Sequence, residues 1–171
     1  RHNNREYFAG NVQKENTSLN VEYKIQDIEE AFHQLFDEAL KEYNKKQVRK
    51  DRVIENYYEH LCNSKRESPF YEAIVQFGNV VDTPCGSQRG EVAKQMLDEY
   101  MRDFQKRNPN LFVFNAVLHM DEASPHIHID FIPFYTKGRT NGLGKGVSMK
   151  AALDEQGFKA HGQKLNRLVA W

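Results

Sequence analysis

Leu111-Phe-Val-Phe-Asn-Ala-Val-Leu118, His119-Met-Asp-Glu-Ala-Ser-Pro-His126-Ile-His128 and Ile129-Asp-Phe-Ile-Pro-Phe134 follow one another without a break. The first and last runs are rich in β-branched and aromatic residues and have the length of strands. Met120 to Pro125 between them has turn composition. The spacing predicts an antiparallel hairpin, with His119 closing one strand and His126 opening the next. Strand side chains alternate between faces, so His126 and His128 share one, and His119 lies across the ladder from them.

Three imidazoles on one sheet face suit a divalent metal. Imidazole is the commonest protein ligand, and three protein ligands leave positions open for water or substrate. Asp121 or Glu122, in the turn, could orient a ligand histidine through its second ring nitrogen. The bland alternative is three unrelated histidines near a hairpin end, and an isolated His-x-His pair usually means no more than that. The third histidine and the two intervening carboxylates favour the metal. Imidazole donors alone do not name it.

Outward from the hairpin, the chain reads as α+β: a central antiparallel sheet flanked by amphipathic helices. Residues 1 to 16 are polar loop. Leu19, Val21, Tyr23 and Ile25 alternate as a strand. Ile28, Phe32, Leu35, Phe36, Ala39, Leu40 and Tyr43 have helical spacing over Asp27 to Asn44, and these aromatics read as core. A second helix is predicted from Arg52 to Asn63, a strand from Phe70 to Phe77, and a helix from Glu91 to Lys106 presenting Val92, Met96, Leu97, Tyr100, Met101 and Phe104. Ser148 would cap a helix through Glu155, and His161 to Trp171 would form a last one.

The 171 residues suffice for one domain, and 24 basic against 24 acidic residues give no bulk-charge case for nucleic acid. Charge runs are usually solvated faces. The Gly-rich basic stretch 137–147, with Lys137, Arg139 and Lys145 and with Lys150 just beyond, differs by following the histidine hairpin directly, and reads as a mobile flap. Cys62 and Cys85 stand in no motif, which fits a reducing compartment. No signal peptide or long apolar span is visible, so the expectation is a cytoplasmic protein without membrane contact.

The pattern His119-x-Asp121-Glu122-x-x-Pro125-His126-x-His128 resembles the MobV (Mob/Pre) family of plasmid mobilisation relaxases, within the HUH class of single-strand DNA nicking enzymes. Arg1-His-Asn-Asn-Arg5 is similar to that family's opening His-Asn-x-Arg segment. Ser18 to Lys24, with Leu19-Asn20, is similar to the strand that follows it. Val147-Ser148 and Ala152-Leu153-x-x-Gln156-Gly157 are similar to its tail. The family's first strand, upstream of His-Asn-x-Arg, is missing here. With Arg1 in place of Met and an abrupt end at Trp171, residues 1–171 read as the N-terminal relaxase domain of a longer protein.

The resemblance implies metal-dependent nicking of one DNA strand at a plasmid or mobile-element transfer origin, with a covalent 5′-phosphate adduct, for conjugative mobilisation. It implies Mn2+ or Mg2+ on His119, His126 and His128, and His2 as nucleophile, with Tyr7 and Tyr23 as fallbacks. Arg5 would bind phosphate, Glu72 would orient or deprotonate His2, and Glu122 belongs to the catalytic set. Lys137, Arg139, Lys145 and Lys150 would join Arg5 in DNA binding. The expected partners are single-stranded and hairpin origin DNA and a transfer coupling protein. The competing readings are a non-catalytic, metal-stabilised single-strand DNA-binding module, a metal hydrolase of small substrates, and a rolling-circle replication initiator. The last is disfavoured because its nucleophilic Tyr typically follows the His motif on a helix, and no Tyr follows Ser148.

Overall fold

A computed structural model of the protein describes residues 3–4, 6, 9–64, 67–138, 142–159, 168 and 171. His2, Arg5, Tyr7, Arg139 and most of the helix expected over 161–171 lie outside the described residues. Among the described residues, two 3-10 turns, at Lys14–Leu19 and Lys50–Arg52, accompany β1 (Val21–Ile25), α1 (Ile28–Lys45), α2 (Tyr57–Ser64), β2 (Tyr71–Gln76), α3 (Gln88–Arg107), β3 (Leu111–His119), β4 (His126–Tyr135), β5 (Gly146–Val147) and α4 (Met149–Glu155). The strands form a five-stranded sheet in the order β1-β3-β4-β2, with β5 paired antiparallel to the end of β4. The expected α+β class with an antiparallel sheet is what the fold shows. No helix among the described residues is long and apolar enough to cross a membrane.

The chain divides into two compact units. The first comprises Arg1–Gln26, Glu72–Arg107 and Val113–Phe131. In it β1 runs antiparallel to β3, Val21 facing Leu118 and Ile25 facing Asn115, with an irregularity between Glu22 and Lys24. Leu19 belongs to the 3-10 turn rather than to the strand expected from its alternation. Strand β4 is buried on both faces from Ile127 to Ile132. Ile127, Ile129 and Phe131 make one face, and Phe131 meets Phe104 of α3 with ring centroids 6.3 Å apart. The other face carries His126, His128 and Asp130.

Helix α3 buries Ala93, Leu97, Met101 and Phe104, one stripe at helical spacing. Val92 and Met96, expected on that stripe, are instead exposed. The helix also starts earlier than its apolar periodicity indicated, because its first turn is set by polar capping. Gly90 N–H donates to Ser87 Oγ at 3.0 Å, and Ser87 Oγ donates to Pro84 O at 2.7 Å. Only glycine fits at position 90, where a Cβ would stand 2.3 Å from the Pro84 carbonyl oxygen.

The second unit comprises Asp27–Tyr71, Asn108–Phe112 and Ile132–Trp171. Asp27 caps α1 by accepting from Glu29 N at 2.8 Å and Glu30 N at 3.2 Å. Phe32 and Phe36 pack against Tyr57 at centroid distances of 6.0 and 5.1 Å, so the aromatics of α1 are core, as their spacing predicts. The helix expected from Arg52 begins only at Tyr57. Asn44 holds the intervening chain extended, donating to Ile54 O at 2.7 Å and accepting from Ile54 N at 3.0 Å. Asn56 then caps α2 by accepting from Glu59 N. Strand β5 had no signal in the sequence: its two residues pair with Phe134 and Tyr135, and Val147 N–H donates to the Tyr57 hydroxyl at 3.0 Å. Ser148 caps α4 as expected.

Candidate metal centre

All described groups of the centre belong to the first unit. Strand β3 ends on His119, and β4 begins with His126-Ile-His128, so the strand period presents the three rings to one another. Their centroids form a nearly equilateral triangle, 5.4 Å from His119 to His126, 5.3 Å from His119 to His128 and 5.2 Å from His126 to His128. Three imidazoles bound to one ion at about 2.1 Å per nitrogen, with near-tetrahedral angles, place their centroids roughly 5 Å apart. The cluster therefore has the dimensions of a three-histidine site. His119 is fully buried and His128 nearly so.

The outer nitrogens of two rings have acceptors. His128 Nδ1–H donates to Glu72 Oε1 at 2.6 Å, and His126 Nδ1–H donates to the Ser124 carbonyl at 2.8 Å. A carbonyl and an ionised carboxylate can only accept, so Nδ1 carries a proton in both rings, and Nε2 is the atom through which either ring, when neutral, can bind a metal. The turn carboxylates were expected to do this orienting. Instead Asp121 Oδ1 lies 3.6 Å from His119 Nδ1, and Glu122 Oε2 lies 4.0 Å from His126 Nε2. Both exceed hydrogen-bond length. Glu122 is thus on the lone-pair side of His126.

His119, Asp121 and Glu122 form a second, overlapping group that could hold a metal ion, with one ligand atom each within 4.8 Å of the others. We take the imidazoles as the primary donors, because both turn carboxylates are braced by other side chains. Thr17 Oγ1 donates to Asp121 Oδ2 at 3.0 Å, and Asn11 Nδ2 donates to Glu122 Oε2 at 2.7 Å. Beyond them a cavity of about 330 Å3 is lined by Asn3, Asn4, Thr17, Ser18, Asn20, Glu22 and Val117. No cation lines it.

The same sheet face continues to Asp130, which accepts from Asn115 Nδ2 at 2.8 Å. Burial first, and then the neighbouring Glu72 charge, push the Asp130 carboxyl above its ordinary range, against the pull of Asn115 and Asn3. Asn3 Nδ2 reaches both acids, at 2.9 Å from Glu72 Oε1 and 3.5 Å from Asp130 Oδ2. Strand parity places Asp130 on the face of His126 and His128. Nothing in the spacing of Asn11, Thr17 or Asn115 marked them as part of the site.

The remaining candidates fall elsewhere. Tyr23 donates its hydroxyl to Asp98 Oδ1 of α3 at 2.8 Å, and burial followed by that carboxylate pushes its pKa well above the usual tyrosine range. In the second unit Lys145 Nζ stands 4.6 Å from the Phe134 ring centroid, while Lys137 and Lys150 are exposed. Gly146 and Val147 of the expected flap form β5, and Gly138 N–H bonds to Gly144 O.

A family model described as Mob_Pre, plasmid recombination enzyme, matches residues 2–163. It is the family that the His119–His128 motif resembles. No curated protein sequence matches the chain. Among solved structures, the chain is similar to a MobM relaxase domain (MOBV; Mob_Pre) bound to plasmid pMV158 oriT DNA in a manganese-bound crystal, with 16% identity and a TM-score of 0.41, over 96% of this chain and 81% of that one.

Proposed function

Because the chain belongs to the Mob_Pre family of plasmid recombination enzymes, we propose that it is a relaxase, nicking one strand of a transfer-origin DNA and retaining the 5′ end covalently. The observation that supports this most is the triangle of His119, His126 and His128, with the Nδ1 protons of two of them already committed. Between the two expected metals, a three-nitrogen donor set favours Mn2+, since Mg2+ prefers an all-oxygen shell. When bound, such an ion polarises the scissile phosphate and neutralises developing charge.

The chain's own residues do the rest. A neutral His2 imidazole attacks phosphorus, the P–N bond forms, and the bond to the 3′ oxygen breaks in line. The proton lost by the attacking ring and the proton gained by the 3′ oxygen balance. We assign that transfer to a carboxylate beside the histidines: Glu122, which accepts from Asn11 and lies on the lone-pair side of His126, or Glu72, which accepts from His128 and Asn3. Arg5 binds the phosphate bidentately. Lys137, Arg139, Lys145 and Lys150 neutralise phosphates of the bound strand. Tyr23 is a poor alternative nucleophile, because its environment opposes the phenolate.

The test is a nicking assay on labelled single-stranded origin oligonucleotides with Mn2+, Mg2+ or EDTA. A metal-dependent, 5′-linked adduct is expected in wild type, Tyr7→Phe and Tyr23→Phe, and is expected to be absent in His2→Ala and His126→Ala. An adduct lost only in Tyr7→Phe moves the nucleophile. DNA binding without cleavage under every metal condition replaces the relaxase with a non-catalytic binding module.

A further inference from the structure

Glu72 Oε1 accepts two hydrogen bonds, from His128 Nδ1 at 2.6 Å and from Asn3 Nδ2 at 2.9 Å. Its side chain is 38% exposed, while that of His128 is 11% exposed. A carboxylate so open to water has rotamers that abandon an inward-facing imidazole, and ordering it costs side-chain entropy. Asn3 opposes that rotation from the outer side. Its amide also stands 3.5 Å from Asp130 Oδ2, and Asn115 anchors Asp130 inside the sheet face at 2.8 Å. Two carboxylates this close repel. A single NH2 group, with two hydrogens, is a neutral donor able to serve both at once.

We propose that Asn3 is a positioning residue that latches the N-terminal segment to the metal centre: by sitting between Glu72 and Asp130 it holds the carboxylate that fixes the His128 ring. Asp130 and Asn115 form the fixed side of the latch. The segment following His2 in sequence and the ring orientation of a metal ligand then become coupled through one oxygen atom, Glu72 Oε1. Asn3 touches no metal, yet its removal weakens metal binding. The bland alternative is that Asn3 merely satisfies surface polar groups, in which case the metal ligands ignore its loss. The latch rests on the reading of His119, His126 and His128 as ligands.

Two measurements on the whole protein separate the latch from that reading. In EDTA-treated, 15N-histidine-labelled protein, the His128 Nδ1–H should give a resolved, slowly exchanging signal shifted downfield by its carboxylate. Asn3→Ala should move or broaden that signal with the melting temperature little changed. Calorimetric Mn2+ titration should show roughly 10-fold weaker binding in Asn3→Ala, the scale of lost outer contacts to ligands. Asp130→Asn should weaken binding in the same direction by less, since Asn115 and Asn3 can still donate to its carbonyl. An unchanged His128 signal in Asn3→Ala overturns the latch, and a changed signal with unchanged Mn2+ affinity overturns its coupling to the metal. If wild type binds no Mn2+, the ligand assignment fails, and the coupling fails with it. The metal-free spectrum still decides whether Asn3 holds Glu72 on His128.

Discussion

His128 donates its Nδ1 proton to Glu72 Oε1 across 2.6 Å, from a nearly buried ring on β4 to a half-exposed carboxylate on β2. The bond fixes the tautomer that turns Nε2 toward the other two histidines. Glu72→Gln keeps an acceptor but removes the charge, and should weaken Mn2+ binding by about 10-fold, with Glu72→Ala nearer 100-fold. Calorimetric titration of the metal-free protein is the check. Equal affinity in all three proteins would remove Glu72 from the centre.

Tyr23→Phe should leave adduct formation intact and lower stability by about 1 kcal/mol, through loss of its hydrogen bond to Asp98. Asp98 retains Arg102, whose Nε donates to it at 2.7 Å, so no carboxylate is stranded. Urea denaturation and a gel of the covalent product read the two halves of this prediction separately.

Tyr57→Phe should cost about 1–3 kcal/mol, because it leaves the buried Val147 N–H without the hydroxyl that accepts it. A pH signature accompanies the loss. Burial, opposed by the Val147 bond and reinforced by Tyr135 and Glu67, pushes the Tyr57 pKa up from 10.0 to about 12. A raised pKa means that the protonated form stabilises the fold. That stability is fully present below pH 10.0 and declines as pH rises toward about 12. In the Phe variant this contribution to the alkaline decline should disappear from denaturation curves.

Glu155 governs the acid side of the same unit. Burial alone would raise its pKa, but the N–H groups of Lys137 and Thr136, the Thr136 hydroxyl and Asn110 outweigh burial and lower it below 4.5. A depressed pKa stabilises the fold above the ordinary glutamate value, and that stability is lost as pH falls through the folded value. Glu155→Gln should therefore be less stable at neutral pH and show a shallower decline below pH 4.5, measured by thermal melts.

Gly90→Ala should destabilise the first unit by about 1–3 kcal/mol, since its Cβ would stand 2.3 Å from the Pro84 carbonyl oxygen and the α3 cap would have to shift. A melting temperature equal to wild type would show that the Pro84 turn yields freely.

Local patterns read the hairpin well and α3 less well, for related reasons. Leu111 to Phe134 is apolar on both sides of one short turn, so few arrangements bury it. Along α3, by contrast, Val92 and Met96 fit the helical period yet face solvent, because the period defines a stripe without saying how wide the covering sheet is. The start of α2 was misplaced by the Asn44–Ile54 clamp, a pair ten residues apart with no local signature. β5 escaped notice because two residues carry no periodicity at all.

By itself the sequence determined the α+β class, the hairpin, and the placing of His126 and His128 on one face with His119 opposite, because strand alternation is a local consequence of backbone geometry. Only the tertiary structure decided which acceptor serves which imidazole. Glu72 reaches His128 from 56 residues away, and Asn3 reaches Asp130 from 127 away. The first of those meetings follows from the strand order β1-β3-β4-β2, which sets β2 beside β4. Strand order is set by burial summed over the whole sheet, and no short window of sequence contains it.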